Sequence, residues 1–177
     1  MDGHSGDHQI LNLEMIFKEP IRVFTNVEDL IKHFEKLELV AYKCPQGKLT
    51  IGWGHTDGVY EGMKITVEQA KKFLKDDIAI AKASLKRLIK VPLTEQQEIA
   101  LISWVFNIGE TKLKDCDLVK LINSGHCIDC ALNLELLLWR NMTVKEGNVE
   151  IKKMLLGLFF RRACELATSR GKRTCSC

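Results

Sequence analysis

The sequence predicts an α+β fold of two lobes: a small N-terminal lobe with a β-hairpin, a long connecting helix, and a helical C-terminal lobe. Three observations carry this. Two strand-like runs, Val40–Cys44 and Leu49–Trp53, flank a turn at Pro45-Gln-Gly-Lys48. Thr66-x-x-Gln69 is a capping box, and behind it Ala70, Phe73, Leu74, Ile78, Ala81, Leu85 and Leu88 recur at helical spacing. Pro92 then closes that helix, and a second capping box, Thr94-x-x-Gln97, opens the next.

Taken in order, residues 1–24 read as an N-terminal extension. Thr25-Asn-Val-Glu28 looks like a helix start with a capping box, with Leu30, Ile31 and Phe34 on an apolar face that runs to Lys36. Gly52 and Gly54 bracket Trp53, which places a close backbone approach at the end of the hairpin. The expected connecting helix covers 67–89, and a helix carrying Ile99, Ile102, Trp104 and Phe106 stops at Gly109. Shorter helices are expected at 116–123, 127–139 and 151–168, with 141–150 a polar loop. The domain reading is a catalytic-type unit at 25–170, made of a small lobe (25–66), the connecting helix (67–90) and a helical lobe (91–170). A basic, Cys-containing tail follows at 171–177.

Composition narrows the function. A chain of 177 residues, 46% hydrophobic and 28% charged, can bury one full core or two small lobes. No run approaches the roughly 18 apolar residues of a membrane span. The N-terminus lacks the basic head and apolar core of a secretory leader, so synthesis in the cytoplasm without stable membrane insertion is expected. Net charge is only +3, yet residues 140–177 hold nine Lys/Arg against three Asp/Glu. Such a surface suits a polyanion or is a solvated helix face. No helix-turn-helix, zinc finger or RNA-binding motif accompanies it, so nucleic acid is not the expected partner.

The chain has seven cysteines: Cys44, Cys116, Cys127, Cys130, Cys164, Cys175 and Cys177. Cys127-x-x-Cys130 has metal-ligand spacing, but no second pair of that kind follows, so buried thiols are expected rather than zinc. Neither metal nor cofactor is expected. Asp77 lies on the apolar stripe of the connecting helix, where an unpaired charge is costly, and His55 is its natural partner. The competing reading turns Asp76 toward the core edge and Asp77 outward.

The segment from Phe34 to Thr56 is the most informative. Glu35 is followed by eight residues, Cys44, five residues, Thr50, and then Ile51-Gly-Trp-Gly-His55. Further runs follow in order: Gly62-Met63-x-Ile65-Thr66, Phe106-Asn107-x-Gly109 and Gly157-Leu158-x-x-Arg161-Arg162-Ala163-Cys164-Glu165. Together they resemble the phage lysozymes, glycoside hydrolase family 24, over about residues 27–168. The resemblance implies a lysozyme-like fold and a muramidase cutting the β-1,4 bond between N-acetylmuramic acid and N-acetylglucosamine, acting on the cell wall by inversion. It implies Glu35 as the acid and Thr50 as the holder of the attacking water. Many members carry Asp where this chain has Cys44, so Cys44 stands as base, nucleophile or spacer. By resemblance Asn107, beside Phe106, lines the sugar cleft; helix capping is its alternative. Arg161 and Arg162 are expected to approach Glu35, and the sequence does not choose between them. The rival readings are a lysozyme-fold module that grips peptidoglycan without cutting it, and a related activity on chitin or by transglycosylation. Peptidoglycan is the expected partner and a monomer the expected state.

Overall fold

The computed structural model describes residues 20–44, 47–136, 141–146, 149–154 and 156–171. The turn residues Pro45 and Gln46, most of the N-terminal extension and nearly all of the tail, including Cys175 and Cys177, lie outside that set. Helix α1 is Val27–Phe34, strands β1 and β2 are Glu38–Lys43 and Leu49–Gly52, and the connecting helix α2 is Val67–Leu88. Then come α3 (Glu95–Ile108), α4 (Glu110–Asp115), α5 (Asp117–Asn123), α6 (Ile128–Leu136), β3 (Asn141–Glu146), β4 (Val149–Met154) and α7 (Leu156–Arg170).

Helix starts follow their caps. Two of the three expected capping boxes form, Thr66 with Gln69 and Thr94 with Gln97, each with reciprocal side-chain and backbone bonds, while the Thr25–Glu28 box does not. At α1 the cap is Asn26 instead of Thr25: its Oδ1 accepts from the Asp29 N–H at 2.8 Å. Asn is as good an N-cap as Ser or Asp, so a one-residue shift costs nothing. Glu35 is the C-cap of α1, whose last helical residue, Phe34, falls two residues before Lys36. Asn123 closes the far end of α2, accepting from Lys90 N–H and donating to the Leu88 carbonyl, both at 2.8 Å.

Two hydrophobic clusters divide the molecule. Ile51, Ile65 and Ala70, with Leu37, Leu39, Trp53, Met63 and Phe73 around them, form the small-lobe core. The larger core runs from Ala81, Leu85 and Ile89 through Leu101, Trp104, Val105, Leu118, Ile122 and Leu132. A third cluster sets Leu30 of α1 against Ile99 and Cys164. Helix α1, grouped with the small lobe by sequence, therefore seats its buried side on α3 and α7. The N-terminal segment docks there too, with Arg22 N–H donating to Cys164 Sγ and Phe24 N–H to Thr168 Oγ1.

Two expectations are corrected. The stretch 141–150 is not a loop: β3 and β4 pair antiparallel from Asn141↔Met154 to Glu146↔Val149, and α7 begins at Leu156 rather than 151. Val144, Val149 and Ile151 are β-branched, and the two residues between the paired ends are Gly-Asn, a pair that favours hairpin turns. The short helix α4 was not foreseen either.

Candidate active site

Three elements converge on Glu35. The end of α1 fixes its backbone, with Glu35 N–H donating to Ile31 O at 2.9 Å. The hairpin exit brings Gly54 beside it: a β-carbon there would lie 3.7 Å from the Glu35 carboxyl and 3.7 Å from Phe106. Gly54 has φ +91°, a conformation that side chains strain, so a residue with neither β-carbon nor strain stands against the carboxyl. From α7, Arg161 Nη1 donates to Glu35 Oε1 in a direct ion pair. The Arg161 side chain is 3% exposed and that of Glu35 is 25% exposed.

Behind that pair lies a buried network. Arg161 Nε donates to Glu165 Oε1 at 3.3 Å and Nη2 to the Ser103 carbonyl at 3.2 Å. Ser103 Oγ donates to the same Glu165 oxygen at 2.7 Å. Arg162 Nη1 sits 2.9 Å from Glu165 Oε2, and its Nη2 donates to Asn107 Oδ1 at 2.9 Å. Burial draws the Arg162 guanidinium down to about 10, opposed by the charges of Glu165 and Glu35 and reinforced by Arg161. Of the two arginines, Arg161 touches the carboxyl, while Arg162 braces Glu165 and holds the amide of Asn107. Helix capping does not account for Asn107, because Gly109 closes α3.

The hairpin carries the other two candidates. Cys44 N–H and Thr50 Oγ1 both donate to the Lys48 carbonyl, at 2.9 and 3.1 Å. Thr50 is 4% exposed and Cys44 is half-buried. Because the Thr50 proton is committed to Lys48, its oxygen faces any neighbour as an acceptor. Tyr42 pairs with Thr50 across the strands and stands two residues before Cys44, so alternation puts all three on one face. Burial raises the Tyr42 phenol, and the charges of Glu35 and Cys44 add to the rise. Sequence reasoning missed Tyr42, although period-two alternation from Cys44 would have found it.

His55 and Asp77 meet as expected, with His55 Nδ1 at 2.8 Å from Asp77 Oδ2, and the ring stacks on Phe73 at 4.3 Å. Asp76 is exposed, so Asp77 is the inward carboxyl. Burial raises Asp77 and the His55 hydrogen bond opposes it. This clasp ties the hairpin exit to α2 rather than entering the Glu35 cluster. A groove of about 180 Å³ runs from Gly54 past Thr56, Asp77, Phe106 and Gly109 to Glu110. The thiols depart from expectation: Cys116 and Cys164 are buried, but Cys127 is exposed and Cys130 half-buried, because they lie on the solvent-facing entry to α6. Among the described residues no cluster of three His, Cys, Asp or Glu could hold a metal ion, and no helix is long and apolar enough to cross a membrane.

A helix-end carboxyl set against Gly54, which itself lines a groove between a hairpin lobe and a helical lobe, defines a glycoside hydrolase of the lysozyme type. The chain belongs to the phage lysozyme family, whose model matches residues 32–165. It is 41% identical over 138 residues to an endolysin of Acyrthosiphon pisum secondary endosymbiont phage 1, covering 78% of this chain and 90% of that one. An endolysin of Bacillus phage B103 is 37% identical over 128 residues, and there the match covers 71% of this chain and only 48% of the relative. Among solved structures, an endolysin from Escherichia coli O157:H7 phage FAHEc1 superposes with a TM-score of 0.70 at 35% identity, covering 88% of this chain and 97% of that one. The muramidase domain of SpmX from Asticaccaulis excentricus gives a TM-score of 0.69 at 31% identity, covering 83% and 97%. The family brings peptidoglycan as substrate and hydrolysis as the reaction.

Proposed function

We propose that this chain is an endolysin that cuts the β-1,4 bond after N-acetylmuramic acid with inversion, using Glu35 as general acid. The observation that carries this reading is the fixed, half-open Glu35 carboxyl. It is held by Arg161 on the helical side and faced by the bare backbone of Gly54 on the groove side. In the step, the protonated carboxyl gives its proton to the glycosidic oxygen as the bond from that oxygen to the anomeric carbon breaks. Water attacks that carbon from the opposite face. The Thr50 oxygen, being an acceptor, suits the role of holding this water by one of its protons. Cys44, on the same face, is base or spacer for this step; acting as nucleophile it would give retention through a glycosyl-enzyme instead.

Arg161 suits a residue beside an acid that changes charge. When Glu35 is neutral, the guanidinium still has Glu165 and Ser103 as partners, so protonation strands no buried cation. On this reading Phe106, which lines the groove, and Asn107 beside it, held by Arg162, are sugar contacts. The protein acts as a monomer on the cell wall after cytoplasmic synthesis, with no nucleic-acid partner.

The test is digestion of purified peptidoglycan by wild type beside Glu35→Gln. Gln keeps the size but has no acidic proton to give, and the expected loss is about 10²-fold or more. New reducing ends without anhydro sugars mark hydrolysis. Residual turnover within about tenfold of wild type removes Glu35 from the acid's place.

A further inference from the structure

Cys127 and Cys130 lie outside the groove and take no part in the reaction proposed for it. Cys127 precedes the first residue of α6, and its carbonyl accepts from Ala131 N–H at 2.9 Å, the bond that starts the helix. Cys127 therefore occupies the capping position and Cys130 the third helical position. In that arrangement the capping side chain folds toward the backbone of the third residue, as Thr66 does toward Gln69 and Thr94 toward Gln97 in this protein. One helical turn separates the two residues, which brings their α-carbons within the 4.4–6.8 Å or so that a disulfide spans.

Accessibility and support complete the picture. Cys127 is the exposed thiol of the five described cysteines, Cys130 is half-buried behind it, and Cys116 and Cys164 are buried. The turn that carries them is firmly held. Asp129 Oδ1 accepts from Gln97 Nε2 of α3 at 3.2 Å and from Ser169 Oγ of α7 at 3.0 Å. The backbone between the two sulfurs is thus fixed to both neighbouring helices. First-turn N–H groups also favour negative charge, and the thiolate is the species that attacks a disulfide.

We infer that Cys127 and Cys130 form a dithiol–disulfide site, with Cys127 the attacking thiol, Cys130 the resolving thiol, and a small-molecule or protein disulfide as the oxidant. The exchange balances in two steps. Cys127 thiolate attacks one sulfur of the external disulfide, forming a mixed disulfide and expelling one thiolate. Cys130 then attacks Cys127 Sγ, closing the intramolecular bond and releasing the second external thiolate. The two cysteine thiols are oxidised by two electrons, the external disulfide is reduced to two thiols, and the two cysteine protons pass to the released thiolates or to solvent. In a reducing compartment the pair stays open. In an oxidising one it closes and staples the first turn of α6.

The probe is oxidised glutathione, applied to the whole folded protein, followed by alkylation at low pH and peptide mass analysis. Cleavage after Lys120 and Arg140 gives one peptide, 121–140, that holds Cys127 and Cys130 and no other cysteine. The expected product is that peptide lighter by two hydrogens and refractory to alkylation, returning to the dithiol with reduced glutathione. Cys130→Ser should stop at a stable glutathione adduct on Cys127. Cys127→Ser should leave Cys130 reduced over the same interval, at least about tenfold slower to react, as expected for a less exposed thiol. Both variants keep wild-type activity on cell walls, since neither residue belongs to the groove. A wild-type peptide that carries glutathione on Cys127 without closing overturns the inference. So does a pair that is alkylated in full at every glutathione ratio.

Discussion

Arg161 holds Glu35 with one nitrogen and Glu165 with another, so a buried guanidinium links the carboxyl at the groove to a carboxylate that solvent does not reach. Arg161→Gln should therefore weaken two things at once. It frees the carboxyl of Glu35, and it removes a counter-charge from Glu165. The expected loss of stability is on the order of 3–5 kcal/mol, the range for breaking a buried ion pair from one side. Urea unfolding measures it. Arg161→Lys keeps the charge but not the fork, and should recover stability more fully than activity. A midpoint unchanged by Arg161→Gln would show that Arg162 and Ser103 satisfy Glu165 alone.

His55→Asn should cost about 2–3 kcal/mol, less than a fully buried pair, because both partners are partly open to water. Its pH dependence has a definite sign. Burial already raises Asp77, and removing the His55 hydrogen bond takes away the influence that lowers it. A carboxyl whose folded pKa lies above its unfolded one lends stability as pH falls through the folded value. The gap in thermal midpoint between wild type and His55→Asn should thus narrow from neutral pH toward the acid side. A gap that stays constant or widens contradicts the assignment.

Glu110 behaves in the opposite sense. It accepts from Ser84 Oγ at 2.7 Å, pairs with Arg87, and lies 3.3 Å from Lys114. These partners, Ser84 first, lower its carboxyl to about 2. Its contribution is present above the ordinary Glu value of about 4.3 and is lost as pH falls from there toward about 2. Glu110→Gln should be less stable than wild type at pH 7 and indistinguishable from it near pH 2. Thermal scans across that range decide.

Cys44 separates chemistry from space. Alkylation by a bulky reagent should inactivate the enzyme, and bound saccharide should protect it. Cys44→Asp should stay active and resist the reagent. Cys44→Ser keeps the size and loses the basicity. A fall of about 10²–10⁴-fold marks a base or nucleophile, the range of positioned proton transfer, while near-normal turnover marks a spacer. Full activity after alkylation removes Cys44 from the groove.

Where a physical signal is local, the sequence was legible. Thr66 with Gln69 and Thr94 with Gln97 announce helix starts because a hydroxyl and an amide three residues apart satisfy the first donors of a helix. Asp77 on an apolar stripe demands a partner, and His55 supplies it. The choice between Arg161 and Arg162 was not legible, because adjacent residues on a helix differ by about 100° and only the packing of α7 on α3 decides which faces Glu35. Tyr42 was missed because aromatic residues in strands are ordinary core material, and its register with Thr50 had to be seen. The stretch 141–150 was read as a loop and 151–154 as the start of a helix because charged residues masked the β-branched Thr143, Val144, Val149 and Ile151.

The connecting helix has a mechanical consequence. Beyond Ile78 it is embedded in the helical core and its end is bolted by Asn123, while Ala70 and Phe73 belong to the small-lobe core. Helix α2 is thus a beam built in at both ends, with the stretch 74–77 between the two supports. Any flexing that widens or narrows the groove concentrates its strain there, and the His55–Asp77 clasp crosses that span. The stiffness of the groove is accordingly set in part by this span, whose last residue, Asp77, itself lines the groove.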